Sequence, residues 1–168
     1  ILALIPKVMA DGSRHTVRAT SSFVLGLRAH LVSPDRRQGY ERFVRETYGE
    51  RARKLGWTPS SEESEETRLL RPELVGLVGG AGEDPKLQKQ ARALAKRWLD
   101  DPNAFSPDMI GTVMSLAARH GDQAFFDRLL TLAKKEKDRT RRGVLLGALA
   151  GFRDPAIVQK RLALLLGD

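Results

Sequence analysis

The sequence predicts an all-α protein built from helix hairpins, and three observations carry that expectation. Leu and Ala, both strong helix formers, number 24 and 18, whereas the β-branched Ile and Val together number 14. Apolar residues recur at three- and four-residue spacing along nearly the whole chain. No segment alternates apolar and polar residues for long enough to read as a strand.

Taken in order, the pattern places helices at 2–10, 15–32, 34–53, 62–79, 85–100, 107–119, 121–136, 138–152 and 155–166. The second carries Val17, Val24, Leu27 and Leu31 on one face. The fifth carries Leu87, Ala91, Leu94, Ala95 and Trp98, and the sixth Ile110, Val113, Met114 and Ala117. Phe126, Leu129, Leu130 and Ala133 repeat the spacing, and Leu145, Ala148, Leu149 and Phe152 repeat it again. Four starts share one punctuation: Ser33-Pro34, Asp84-Pro85, Ser106-Pro107 and Asp154-Pro155. A side-chain oxygen there accepts from an orphan amide, and proline suits the first helical position because its missing N–H needs no partner. Asp35 and Asp108 add a first-turn carboxylate that complements the helix dipole. Short connections between such helices predict antiparallel hairpins. Nine of them fit a HEAT-like α-α superhelix, or solenoid, better than one four-helix bundle, although no regular repeat of about 40 residues can be written down.

One irregular stretch interrupts this order, from Lys54 to Ser61, followed by the acidic run Glu62-Glu63-Ser64-Glu65-Glu66. Gly56 is expected to end the preceding helix and Ser61 to cap the next, with Trp57 packed back onto the hairpin. The carboxylates are expected to be solvated.

Composition bounds the function. The chain has 168 residues, a formal net charge of +8, 41% hydrophobic and 30% charged residues. That suits one soluble domain, residues 1–168, able to bury about 70% of its unfolded surface. No apolar run approaches the roughly 18 to 20 residues of a membrane span, so no membrane association is expected. Cysteine is absent, which removes disulfides, thiolate nucleophiles and Cys-ligated zinc. Opening on Ile1, the chain is read as a piece of something longer, and its compartment is left open.

Catalytic patterns are not found. His15, His30 and His120 are far apart, and nothing resembles an HExxH zinc pair or a nucleophile elbow. Gly79-Gly80-Ala81-Gly82 fails as a phosphate loop, because Glu83-Asp84 stands where lysine and a hydroxyl are required; it reads as a helix stop and turn. Two basic clusters remain: Arg36, Arg37, Arg42, Arg45, Arg51, Arg53 and Lys54, then Lys134, Lys135, Lys137, Arg139, Arg141 and Arg142. Interleaved acids (Glu41, Glu46, Glu50, Glu136, Asp138) predict pairing at helical spacing, and few aromatics accompany them for base stacking. Nucleic acid is therefore not the expected partner.

Leu55-Gly56-Trp57, the acidic stretch and Leu69-Leu70-Arg71-Pro72-Glu73-Leu74 resemble the C-terminal helical domain of zinc aminopeptidases of the puromycin-sensitive and aminopeptidase N type. Glu136-Lys137-Asp138-Arg139, Leu146-Gly147-Ala148-Leu149-Ala150, Asp154-Pro155 and Gln159-Lys160-Arg161-Leu162 extend the resemblance towards the puromycin-sensitive branch. The resemblance covers most of residues 20–166, through loose and mainly structural motifs. It implies a fragment of a larger domain that forms a HEAT-like stack, caps an active site and encloses a peptide chamber. HExxH and GxMEN, the family's zinc and amine-binding motifs, do not occur here, so no catalytic or metal residue is assigned to this chain. The expected partners are a catalytic domain in the same polypeptide, which would hold the zinc, and a peptide substrate. Arg71 and Arg142 are the candidate contacts for a peptide carboxylate, with salt bridging inside the stack as the alternative for both. A free-standing solenoid adaptor and a HEAT-like nucleic-acid binder are the rival readings.

Overall fold

The computed structural model describes residues 4–9 and 13–166. Every regular element among them is helical: α1 (Ile5–Met9), α2 (Arg14–His30), α3 (Arg37–Leu55), α4 (Glu65–Gly76), α5 (Pro85–Asp100), α6 (Pro107–Arg119), α7 (Gln123–Lys135), α8 (Arg139–Leu149) and α9 (Pro155–Leu166). The all-α expectation holds. Residues 2, 3 and 10 of the first predicted helix lie outside the described residues. No described helix is long and apolar enough to cross a membrane. The chain divides into two compact units, Ile1–Leu87 and Gln88–Asp168, with the boundary inside α5.

In the first unit, α1 packs on α2 and α3 on α4, as sequential hairpins do, and α2 also packs on α4. That next-but-one contact is what stacking one hairpin on the next produces. The core combines Val17 and Val24 of α2, Val44, Tyr48 and Ala52 of α3, and Leu70 and Leu74 of α4, none more than 1% exposed. Burial pushes both phenols of this core up, Tyr40 with some offset from Arg28 and Tyr48 with some offset from Thr20. The Tyr40 hydroxyl donates to the Val24 carbonyl at 3.0 Å. Leu31 departs from its predicted place: it is the C-cap of α2 and stands 76% exposed, because the helix ends before its face turns inward again.

The glycine cluster does more than stop a helix. From Leu77 to Ala81 the chain widens into π-helix, and the Gly82 N–H bonds the Leu77 carbonyl five residues back at 3.0 Å. A Cβ on Gly82 would lie 2.6 Å from the Val78 carbonyl oxygen and 3.0 Å from Val44 Cγ1, so only glycine fits. Glu83 follows in the left-handed region at φ 50, within ion-pair reach of Arg28 at 3.9 Å. Buried Asp84 then caps α5, accepting from the Lys86 and Leu87 amides at 3.1 and 3.0 Å, and pairs with Arg53 at 2.9 Å.

In the second unit α7 packs on α8, and α6 lies against α8, again a next-but-one contact. Met109, Val113 and Met114 of α6, Phe126 and Leu129 of α7 and Leu145 of α8 fill the core. Phe152 stacks edge-on against Phe126, with ring centroids 5.3 Å apart, and leans on Phe125 at 5.9 Å. Asp154 caps α9 through the Ala156 and Ile157 amides at 2.9 and 3.2 Å.

The four predicted proline starts divide by chemistry. Both aspartates cap; Ser33 and Ser106 do not. The Ser33 hydroxyl instead bonds the Asp35 carboxylate, which holds that group below its ordinary range. The cap of α4 is Ser64, three residues beyond the expected Ser61, with its oxygen accepting from the Thr67 amide at 3.2 Å. Gly56 closes α3 as expected, at φ 59.

Candidate functional site

Arg71 and Arg142 sit in different units and in opposite environments. Arg71, on α4, is 2% exposed. Its guanidinium donates to the Glu63 carboxylate and to the Gly56 carbonyl, the latter at 3.3 Å. One side chain thereby ties the entry of α4 to the exit of α3. The Glu63 side chain is only 10% exposed, which corrects the expectation that the acidic run is wholly solvated. Glu66 is also engaged, accepting from the Arg14 amide at 2.8 Å. The salt-bridging alternative therefore describes Arg71 as it stands.

The pair borders a cavity of about 740 Å³. Glu46, Glu50, Arg51 and Lys54 of α3 form one side, and Thr58, Ser60 and Thr67 add hydroxyls. Acids and bases face the same space, so it suits a ligand that both donates and accepts hydrogen bonds better than one of a single charge.

Arg142 lies in the first turn of α8 and is exposed. The neighbouring acids are committed to the backbone: Asp138 caps α8 through the Arg141 amide at 2.8 Å, and Glu136 accepts from the Asp138 amide at 2.8 Å. The side chains of Lys134, Lys135, Lys137, Arg139, Arg141 and Arg142 consequently have no ionic partner among the described residues. This corrects the expected self-pairing of that cluster: helix capping outcompetes it, because an orphan amide is a fixed donor and an exposed lysine is not. The α3 cluster differs too. Arg45 donates to the Gly82 carbonyl and Arg53 pairs with Asp84, so both brace the α4–α5 connection.

Among the described residues, no three His, Asp or Glu side chains gather closely enough to hold a metal ion. The three histidines are exposed and lie on α2 and at the end of α6. A second cavity, of about 550 Å³, lies in the second unit between α5 and the α6–α7 turn. Its basic residues Arg92 and Lys96 belong to no charge run, so the sequence pattern alone gives no signal for them.

Helix order and hairpin stacking within each unit define an α-helical domain made of repeated hairpins. The profile of the family described as the ERAP1-like C-terminal domain matches residues 2–168, through both units, and the chain belongs to that family. It is 27% identical over 143 residues to aminopeptidase 2 of Candida albicans, an overlap covering 83% of this chain and 15% of that protein. It is 29% identical over 121 residues to aminopeptidase M1 of Arabidopsis thaliana, covering 70% of this chain and 14% of that protein. The chain thus corresponds to about a seventh of the length of these relatives.

Proposed function

We propose that the chain serves as the non-catalytic helical domain of a zinc metallo-aminopeptidase, an enzyme that removes N-terminal residues from peptides. In this reading it forms a HEAT-like stack that caps the active site of a catalytic domain in the same polypeptide, which holds the zinc, and encloses the peptide chamber. The observation that carries the reading is the family match from residue 2 to residue 168, together with relatives that are named aminopeptidases. Stacked hairpins give such a domain a broad binding face. Arg142, exposed and without an ionic partner, is the side chain that meets the carboxylate of a bound peptide. Arg71 contributes through the cavity wall that it and Glu63 hold in place.

The test is binding of a labelled peptide of about ten residues, supplied with a free or an amidated C-terminus. The free carboxylate is expected to bind more tightly at low salt, and Arg142→Ala to remove the preference. Equal binding of the two forms by the unsubstituted chain would overturn the carboxylate contact.

A further inference from the structure

We propose that the second unit carries a pocket for a small organic anion with an apolar body, built by Arg92 and Lys96 of α5 and Phe125 of α7. The pocket is the cavity of about 550 Å³ between α5 and the α6–α7 turn. Arg92 and Lys96 stand four residues apart, hence on one face of α5, and both are exposed. Neither has a hydrogen-bond or ionic partner among the described residues. Arg128 adds a third cation from α7, held by Asp100 at 2.7 Å in a pair whose side chains are 42% and 61% exposed. A pair so well solvated is weak and exchanges its partner readily. The pocket's own carboxylate, Asp122, is tied to the Phe125 amide at 2.8 Å as the cap of α7. Arg92 and Lys96 therefore face the pocket with no carboxylate bonded to them, and three cations line it against the single carboxylate of Asp122.

The opposite wall, apart from the exposed His120 and the capping Asp122, is apolar: Ala117, Gly121, Ala124 and the half-buried Phe125 ring. Gly121 is what lets that wall close. A Cβ there would lie 2.6 Å from Phe152 Cε1 and 2.9 Å from Phe125 Cδ1. A guanidinium fork matches two oxygens of a carboxylate or phosphate, the ammonium adds a point charge, and the ring takes the apolar remainder. A neutral ligand would leave the cations unanswered, and a bare inorganic anion would leave the ring wall in water. The site uses neither Arg71 nor Arg142, so it stands or falls apart from the aminopeptidase reading.

The experiment records amide ¹H–¹⁵N spectra of the 168-residue chain during titration with phenylacetate, phenyl phosphate, inorganic phosphate and benzyl alcohol. Phenylacetate or phenyl phosphate is expected to move the Gly121 and Phe125 amides with a Kd of about 1 mM, and the tighter of the two identifies the preferred head group. Benzyl alcohol and inorganic phosphate are each expected to bind about ten-fold more weakly or worse. Arg92→Gln with Lys96→Gln, two exposed positions whose change leaves the core intact, is expected to weaken the anion by about ten-fold. Lys86→Ala, one charge elsewhere on α5, is expected to leave it within about two-fold. Benzyl alcohol or inorganic phosphate binding as tightly as its aromatic anion, a double variant within about two-fold of the unsubstituted chain, or unmoved amides up to about 20 mM anion would each overturn the proposal.

Discussion

Removing the Arg71 guanidinium should cost the first unit more than any exposed charge can. Arg71→Leu leaves the Glu63 carboxylate, with its side chain 10% exposed, without its ion-pair partner, and takes a donor from the Gly56 carbonyl. Stranding one partner of a buried pair typically costs about 3–5 kcal/mol. With a urea dependence of about 2 kcal/mol per molar, the midpoint falls by roughly 1.5–2.5 M. Replacing both partners by leucine removes the stranded charge as well, so Arg71→Leu with Glu63→Leu should return to within about 1 kcal/mol of the starting chain. The chain holds two tryptophans, Trp57 in the first unit and Trp98 in the second. A Trp98→Phe background makes urea titration by fluorescence report on the first unit. A single variant that loses less than about 1 kcal/mol, or a double variant as unstable as the single, would rule out a stranded Glu63 charge.

Glycines give a paired expectation. Gly82→Ala must displace backbone at the Val78 carbonyl and should destabilise by about 1–3 kcal/mol, whereas Gly111 and Gly143, helical with nothing within 4 Å of a Cβ, should gain about 0.5–1 kcal/mol as alanine in the same thermal melts. Both tyrosines of the chain have raised pKa values, so the folded state holds their protons more tightly than the unfolded chain does. The stability this gives is complete below the ordinary value of 10.0 and is lost as pH climbs through the folded values. Absorbance at alkaline pH should accordingly show tyrosinate appearing together with unfolding; ordinary titration of either phenol in the intact fold would contradict it. Lys160 holds the exposed Asp127 carboxyl below its usual range, helped by Gln123. Lys160→Met should move the Asp127 carboxyl titration upwards, read by carbon NMR, and an unchanged titration would count against that contact.

The parts of the fold legible in the sequence are those set locally. Asp84-Pro85 and Asp154-Pro155 announce their helices because cap and proline act within three residues. The serine versions mislead, since the Ser33 hydroxyl has a nearer acceptor in Asp35, and that competition is decided by geometry. Helix faces such as Val113 and Met114, or Phe126 and Leu129, follow from period alone. The π-helical widening after Leu77 does not, because its register depends on the fit of Gly82 against Val44 of another helix. For the site, the residue type at Arg71 was readable and its environment was not. Glu63 lies eight residues away across an irregular entry to α4, where no helical spacing predicts a pair. The Arg142 cluster departs from its spacing for the converse reason: Glu136 and Asp138 are placed for ion pairs but bond amides instead. Arg92 and Lys96 carry no signal without the turn that folds Gly121 and Phe125 opposite them.

Whether this helical domain does any chemistry itself is decided by assaying the purified chain on an aminoacyl anilide while titrating zinc. A non-catalytic domain gives no turnover above buffer and no stoichiometric tight zinc binding. Sustained hydrolysis that tracks one bound zinc per chain would contradict it.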